Sequence, residues 1–522
     1  MVASVLALTL TPELAVANTD PVPSVGGIRA IELPDGTHRV TLTRESQPKS
    51  ERPTIDRLVA EAKSAGADLR PALEKYARDF AAANPSQVAD QPDGPAYYPP
   101  VKIDGIRIEE LIDLGQVAED EGIPHAEAIN RYAWQTTLQA VHNKLESTFP
   151  DEASGTSLLN DGRTARIGFK GKIPELALRL ARTLPGEVEL IGDKGFSKKE
   201  LRETLESSSK ELGKRAEVAG YVGKYDIETG VIHFEVEPQK GLKDPGRRAA
   251  VLSALRLQPP VNPRMRIEIN ISDDLNLRPA EGVGQKAGVT AAGRKAGAAA
   301  DDPYLRGGGI LASGTTGTVW KCTSAFNLIR SDGYHSTTSA RHCWELSGDQ
   351  YWFYFNHPNY TGNRTTLGFT QNASRQYDFS RLVQSGSVNL TFTRTFYAAL
   401  NRPRYVTANG TSPVEGSRVC FFGRTSHDAD GEYTCGTIVE SDVTYRMTGM
   451  SGDWFGGIRT IFDGSPPPVT QGGDSGGPLW YGNTAWGITS AAGGTSLFVA
   501  TDRINDADGL GTSWNVWTCP TC

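Results

Sequence analysis

Apolar residues recur at helical spacing over the first third of the chain, from about Thr54 to Pro150. Three amphipathic, alanine-rich stretches carry this pattern, and Pro124 opens the last of them at a position where a helix tolerates proline. We therefore predict that residues 21–150 form a helical region.

The spacing changes after Gly162, where alternating and helical patterns follow one another. Ser197 and Glu200 have the spacing of a capping box at a helix start, and the residues from Asp226 to Gly230 have the composition of a hairpin turn. The predicted strands are "TARIGFKG", "EVELIGD", the two arms of that hairpin and "RMRIEINIS". Residues 151–275 are thus predicted to form an α+β unit, in which helices cover one sheet.

The segment from Ala280 to Asp302 is rich in alanine and glycine and has little to bury, which is typical of a linker or an exposed processing loop. We place a linker at residues 276–306. Beyond it, short apolar and aromatic runs alternate with turn residues at regular intervals. This pattern predicts an all-β barrel or sandwich over residues 307–522. We call residues 1–306 the front portion and residues 307–522 the back portion.

Composition supports this division and excludes some classes of protein. All six cysteines lie in the back portion, as does every tryptophan except Trp134, whereas Lys321 is the only lysine beyond residue 300. A disulfide-bearing back portion indicates an oxidising compartment. The net charge of -7 and the pI near 5.8 argue against a nucleic-acid binder or a polybasic membrane anchor.

Residues 1–20 contain a short apolar run followed by the small residues Ala15, Val16 and Ala17, which fits a secretory signal and its cleavage site. No lysine or arginine precedes the run, so a merely apolar N-terminus is the alternative. We expect a secreted, extracellular protein without a membrane anchor.

The string "GGDSGG" surrounds Ser475 with glycines. A serine hydroxyl is a poor nucleophile, and acyl transfer needs a histidine to accept its proton, a carboxylate to orient that histidine and an oxyanion hole. The glycines permit a tight turn in which the N–H groups of Gly473 and Ser475 converge on one point. The alternative is an ordinary glycine-rich turn.

His342 is the candidate base because Cys343 follows it directly. A disulfide from Cys343 to Cys322 would close a loop of hairpin size and fix the backbone beside the imidazole. The alternative is a histidine that merely neighbours a structural disulfide. Asp378 is the candidate carboxylate, because it interrupts an apolar strand where a buried charge needs a partner.

The order His342, Asp378, Ser475, with the strings "HC" and "GDSGGP", resembles the chymotrypsin superfamily of serine proteases. The string "VCFFGRT", followed by "YTCGTI" with Cys420 and Cys435, resembles the hairpin disulfide of the alpha-lytic and streptogrisin-like bacterial proteases. The resemblance implies two six-stranded antiparallel β-barrels with the catalytic cleft between them, and peptide-bond hydrolysis through an acyl-enzyme.

Residue roles follow from the same resemblance. Ser475 would be the nucleophile, His342 the general base and then acid, and Asp378 the orienting carboxylate, with the oxyanion amides at Gly473 and Ser475. Residues Ser490, Ala491 and Ala492 resemble the strand that pairs with the substrate backbone.

The front portion resembles the pro-regions of these enzymes, which assist folding and inhibit until they are cleaved away. This implies a zymogen that is cut in the linker, near residues 296–309. An independent binding domain is the alternative. We expect protein or peptide substrates, a monomer, and neither a cofactor nor a metal.

Two departures from the family pattern concern the cleft. Arg341 stands where the family usually has glycine, and its bulk could narrow the cleft. Phe421 stands where relatives carry an arginine thought to neutralise the acid before the nucleophile, so Asp474 is expected to need Arg424, Arg459 or the mature N-terminal amine.

Two further expectations concern the specificity pocket and the last cysteines. Thr470 and Gln471 supply no carboxylate to the pocket, which favours a small or medium apolar side chain in the substrate over lysine or arginine. Cys519 and Cys522 are expected to form a terminal disulfide, with free or intermolecular thiols as the alternative.

Overall fold

The structure is a computed structural model. It describes residues 28–85, 93–94, 96–239, 253, 255–273, 275, 277–279, 302–313, 320–348, 351–356, 364–369, 376–385, 390–427, 432–450, 452–462, 470–492, 495–505 and 514–522. The predicted signal segment and most of the predicted linker lie outside these residues. Among the described residues, no helix is both long enough and apolar enough to cross a membrane.

The predicted helical region contains five helices in the part of the chain that is described, and two more follow it. They are α1 (Pro53–Ala65), α2 (Leu69–Ala83), α3 (Ile108–Glu121), α4 (His125–Tyr132), α5 (Gln135–Thr148), α6 (Glu175–Ala181) and α7 (Lys198–Leu212). The capping box at the start of α7 is confirmed, because Ser197 and Glu200 each accept a hydrogen bond from the other's backbone N–H.

In the described residues, the longer strands of the front portion belong to two sheets, whereas we predicted one. The first has the strand order β1-β2-β7-β6-β5. Its strands are β1 (Ile28–Glu32), β2 (His38–Leu42), β5 (Ala153–Leu159), β6 (Thr164–Phe169) and β7 (Glu187–Gly192), and a small hairpin of β3 (Lys102–Ile103) and β4 (Ile106–Arg107) lies apart. The β1–β2 hairpin precedes the helices and was not predicted, because its strands have too few apolar positions to show a clear alternation.

The second sheet begins with β8 (Val218–Tyr225), β9 (Val231–Pro238) and β10 (Arg266–Ile271), which include the predicted hairpin and the predicted last strand. It does not end in the front portion. Thr444, Tyr445 and Arg446 of the back portion pair antiparallel with β8, so that one sheet runs through both portions. A short strand, β11 (Arg278–Pro279), makes a further connection by pairing with the back portion.

The back portion is built almost entirely of antiparallel strands, as predicted. Those before residue 410 are β12 (Tyr304–Gly307), β13 (Ile310–Ser313), β14 (Trp320–Thr323), β15 (Asn327–Arg330), β16 (His335–Ser339), β17 (Tyr351–Phe355), β18 (Arg364–Phe369), β19 (Ser380–Gln384), β20 (Thr391–Ala399), β21 (Arg402–Tyr405) and β22 (Ala408–Asn409). One short helix, α8 (His342–Ser347), interrupts them in the described residues. The largest sheet here has the order β14-β13-β17-β18-β19-β16-β15-β29, where β29 is Trp514–Val516.

Six later strands form a closed ring. They are β23 (Arg418–Phe421), β24 (Thr434–Arg446), β25 (Trp454–Phe462), β26 (Pro478–Tyr481), β27 (Thr484–Ala492) and β28 (Ser496–Ala500). The order β24-β23-β26-β27-β28-β25 returns to its start because β24 also pairs with β25. The ring pairs most of its strand edges within itself, and side chains on both faces of β28, such as Phe498 and Val499, are buried.

Helix α3 carries buried carboxylates against the back portion. The Asp113 carboxylate accepts a hydrogen bond from Arg404 at 2.7 Å and another from the backbone N–H of Gly482 at 2.9 Å. Glu110, on the same helix, accepts one from the hydroxyl of Tyr481 at 3.1 Å. The two portions are therefore joined by buried polar contacts as well as by the shared sheet.

Candidate active site

Three side chains meet in a chain of short hydrogen bonds. The imidazole of His342 lies with Nδ1 2.6 Å from Oδ2 of Asp378 and with Nε2 2.7 Å from Oγ of Ser475. The backbone N–H of His342 also donates to Oδ1 of Asp378 at 2.9 Å. All three side chains are fully buried. The arrangement can transfer a proton from the serine hydroxyl to an imidazole that the carboxylate holds in place.

Local structure fixes the histidine and the aspartate. His342 is the first residue of α8, which follows β16, and Asp378 lies two residues before β19. Because β16 and β19 pair antiparallel, with Ser339 opposite Ser380, the two side chains come from adjoining strand ends. The predicted disulfide from Cys343 to Cys322 on β14 is present and anchors the helix beside the imidazole.

Asp378 remains charged in its buried position because several donors surround it. Burial by itself would raise the pKa of its carboxyl, but the His342 ring and the hydrogen bonds from His342 and Ser490 lower this pKa below the usual value. Ser490 donates its hydroxyl to Oδ2 of Asp378 and accepts the hydroxyl of Tyr445 at 2.7 Å. A charged Asp378 stabilises the imidazolium that forms when Ser475 gives up its proton.

The turn around Ser475 depends on its glycines. Gly473 has φ +102° and Gly476 has φ +86°, values that side chains with a Cβ rarely adopt. A Cβ on Gly476 would clash with the carbonyl oxygen of Thr323. Thr323 fixes the turn from the other side, since its N–H donates to the Ser475 carbonyl at 2.7 Å and its hydroxyl to the Gly473 carbonyl at 2.9 Å.

The predicted oxyanion amides belong to this turn. Among the described residues, neither the N–H of Gly473 nor that of Ser475 has a hydrogen-bond acceptor. Amides left without acceptors beside a nucleophile are what an oxyanion hole requires.

The expectation that Asp474 needs a cation is wrong. Its carboxylate accepts the backbone N–H groups of Thr425 at 2.8 Å, Ser426 at 3.0 Å and Gln471 at 2.7 Å, together with the hydroxyl of Ser426. Four neutral donors supply the stabilisation that we assigned to a cation. The guanidinium of Arg424 instead donates to the carbonyls of Gly308 and Asn356.

The predicted substrate-binding residues lie together on one side of the site. Ala491 and Ala492 of β27 pair with Pro279 and Arg278 of β11, so front-portion residues lie where we expected a substrate. The Ser490 side chain is directed to Asp378.

The two predicted pocket residues differ in their surroundings. The hydroxyl of Thr470 donates to the Ala491 carbonyl at 3.4 Å, which places this buried residue beside the β27 backbone. Gln471 exposes its side chain and contributes its backbone N–H to Asp474.

The two other predicted disulfides are present. One joins Cys420 on β23 to Cys435 on β24, and the other joins Cys519 to Cys522. Arg341, expected to affect the width of the cleft, donates to Glu345 one helical turn further along α8 at 2.7 Å.

Sequence reasoning missed Thr323 and Tyr445, which support the site through contacts with distant parts of the chain. No local motif marks either residue, although Tyr445 does stand in a β-type run.

Comparison with known proteins gave structural matches only. No family model and no curated protein matches the chain. Thermobifida fusca protease A matches with a TM-score of 0.30 and 19% identity, over 41% of this chain and 100% of that one. The Nocardiopsis protease matches with a TM-score of 0.29 and 20% identity, over 40% of this chain and 98% of that one.

A protease of M. tuberculosis in its active form matches with a TM-score of 0.27 and 14% identity, over 43% of this chain and 88% of that one. Likeness at this level assigns no function, so the functional argument depends on the site itself.

Proposed function

We propose that the chain is the precursor of a secreted serine endopeptidase of the chymotrypsin-like type. The observation that carries the proposal is the pair of hydrogen bonds from His342, 2.7 Å to Ser475 and 2.6 Å to Asp378. The closed ring of six strands and the curled sheet before it support two barrels with the site between them. Three disulfides in the back portion support secretion.

The reaction proceeds in two halves. Oγ of Ser475 attacks the peptide carbonyl carbon while Nε2 of His342 takes the hydroxyl proton, and the amides of Gly473 and Ser475 stabilise the oxyanion. His342 then gives the proton to the leaving amine, and the acyl-enzyme remains. Water attacks the ester, His342 takes a proton from it, and Ser475 regains that proton when the acid leaves.

The front portion acts as a pro-region in this proposal. It adds three strands to a back-portion strand, and β11 lies along β27 beside the site, where it blocks access. The strands it contacts come from widely separated parts of the back portion. A fold with many such distant pairings forms slowly, and a template that holds β24 lowers that barrier.

Labelling with a sulfonyl fluoride tests the chemistry. We expect a covalent adduct on Ser475 in the secreted, processed protein and none in a His342→Ala variant, because the hydroxyl then lacks its base. Absence of an adduct on the processed wild-type protein would favour the alternative function, a catalytically silent protein that binds others through the same cleft.

Maturation gives an independent test. A Ser475→Ala precursor, expressed without other proteases, is expected to remain uncut near residues 296–309, whereas the wild type is cut. Ser207→Ala is the control, because this serine is exposed on α7 and belongs to neither the catalytic nor the predicted substrate-binding residues. Cleavage of the Ser475→Ala precursor at the wild-type rate would show that another protease does the processing.

A further inference from the structure

Residues 278 and 279 of the front portion lie along β27 as an extended segment. Arg278 pairs antiparallel with Ala492, and Pro279 pairs with Ala491. Each step forward along this segment is one step back along β27, so the segment runs toward Ser490, whose hydroxyl bonds Asp378. A peptide bound in this direction extends toward the reacting groups.

Side chains of this segment alternate between the protein and solvent. Leu277 is only 4% exposed, whereas Arg278 is exposed and Pro279 is half-buried. This alternation is that of a strand with one face against a surface. Of these three residues, Leu277 therefore makes the closest contact with the rest of the protein.

The surroundings of Leu277 form an apolar pocket. Its other members are buried side chains from four strands of the closed ring, namely Val443, Tyr445, Met447, Trp454, Ala491 and Leu497. Met447 directly follows β24, and Val222 of β8, Leu275 and Met450 are partly buried against the same cluster. A charged or strongly polar side chain would lose its hydration here and gain no partner in exchange.

We propose that this pocket, which we call the Leu277 pocket, is a specificity site for peptide substrates. It selects an apolar side chain of about leucine size at the residue just before the one that pairs with Ala492. Backbone pairing with β27 supplies general affinity for extended peptides, and the pocket supplies the selection. The substrate class is thus extended, unfolded or loop segments with such a residue upstream of the cleaved bond. This inference rests on the proposed function.

Four synthetic peptides test the pocket. The parent has the sequence of residues 275–284, LNLRPAEGVG, and the others replace the Leu277 position by alanine, the same position by aspartate, or the exposed Arg278 position by alanine. Each is incubated with the enzyme obtained by expressing the full chain, with active sites counted by sulfonyl fluoride. Alanine for Leu277 is expected to lower kcat/KM on the order of 30-fold, since it removes most of the buried apolar group. Aspartate is expected to lower it further, and the Arg278 replacement by less than about threefold.

A pocket variant supplies a second measurement. Met447→Ala enlarges the Leu277 pocket, and a peptide with phenylalanine at that position should gain about tenfold in kcat/KM relative to leucine. The shift depends on a ratio between two substrates of one enzyme preparation, so partial misfolding does not produce it.

The outcomes separate this inference from the proposed function. Equal kcat/KM for all four peptides, with Ser475 labelled, would overturn the pocket and leave the protease. So would labelling of Ser475 without cleavage of any peptide and without competition between peptide and label. No labelling would overturn the protease itself, and the pocket with it.

Discussion

The cleft of the back portion and the contact between α3 and the back portion both bury carboxylates, yet they treat them differently. In the cleft, three donors from His342 and Ser490 surround Asp378, and its pKa falls below the usual value. On α3, burial dominates, and it raises the pKa of Glu110 to about 7 although Tyr481 and Thr136 donate to it. Two buried carboxyl groups thus differ in the direction of their pKa shift, according to the donors present.

The largest effect is expected from Asp378→Asn. The amide leaves the size of the side chain unchanged, but removes the charge that orients His342 and stabilises its imidazolium. The rate constant for sulfonyl fluoride labelling of Ser475 should fall about 10⁴-fold. Ser490→Ala, which keeps the carboxylate and removes one donor, should cost about tenfold. If both variants reacted at the same rate, the reactivity of Ser475 would not depend on the negative charge of Asp378.

Asp113→Ala tests the contact between α3 and the back portion. Arg404 would remain buried without its carboxylate, and an uncompensated buried charge costs about 3–5 kcal/mol of stability. The free energy of unfolding of the full chain, measured in denaturant, should fall accordingly. Glu61→Ala is the matched control, because the Glu61–Arg57 pair is more than half exposed and its loss should cost less than about 1 kcal/mol. If both variants lost a similar amount of free energy of unfolding, burial of the Asp113–Arg404 pair would not contribute to stability.

Removal of the Cys322–Cys343 disulfide tests the support of the candidate site, because this bond lies directly beside His342, whereas no disulfide in the described residues joins α3 to the back portion. The double variant Cys322→Ala, Cys343→Ala opens a loop with a sequence separation of 21 residues. The expected loss of stability is about 3 kcal/mol, against about 2 kcal/mol for the Cys519–Cys522 pair, whose loop is much shorter. A larger loss for the second pair would contradict the loop-length argument.

A further prediction concerns pH. Glu110 has a usual pKa of 4.5 and a pKa of about 7 in the folded chain, mainly because of burial. Its contribution to stability is therefore fully present below about pH 4.5 and is lost as the pH rises through 7. Glu415 of the back portion, with a pKa also raised to about 7 by burial, acts in the same direction.

Unfolding midpoints at pH 5 and pH 8 check this prediction. Glu110→Gln keeps an acceptor for Tyr481 and should reduce the difference between the two midpoints, whereas Glu61→Gln on the exposed face of α1 should leave it unchanged. An undiminished difference in Glu110→Gln would assign the pH dependence to other groups.

Local patterns were sufficient to identify the helices, the capping box of α7, the hairpin from β8 to β9 and the nearly all-β back portion. The geometry of His342, Asp378 and Ser475 agrees with an expectation that depended on short motifs and their order along the chain. Each of these features is encoded within a few neighbouring residues, by apolar spacing or by glycines beside a reactive group.

Features that depend on distant contacts were not predicted. The sharing of one sheet by β8 and β24 joins residues more than 200 positions apart, and a strand pattern does not name its partner. The prediction of a cation for Asp474 was wrong for a similar reason. Backbone N–H groups of residues 425 and 426 donate to this carboxylate, and the sequence does not indicate which backbone groups a side chain will contact. The role of residues 278–279 was hidden because a dipeptide of arginine and proline has no strand signature.

The pairing of Thr444, Tyr445 and Arg446 with β8 has a consequence if the proposed cleavage separates the two portions. If the front portion is cut away, as proposed, the backbone donors and acceptors of this stretch would face water, and they would form a template onto which any extended chain can add. The separated back portion would then be more prone to self-association than the precursor, and this tendency would grow with concentration. The proposed cleavage would thus give substrates access to the candidate active site and would lower the solubility of the protein. Secretion of the precursor into a dilute medium before cleavage would limit self-association.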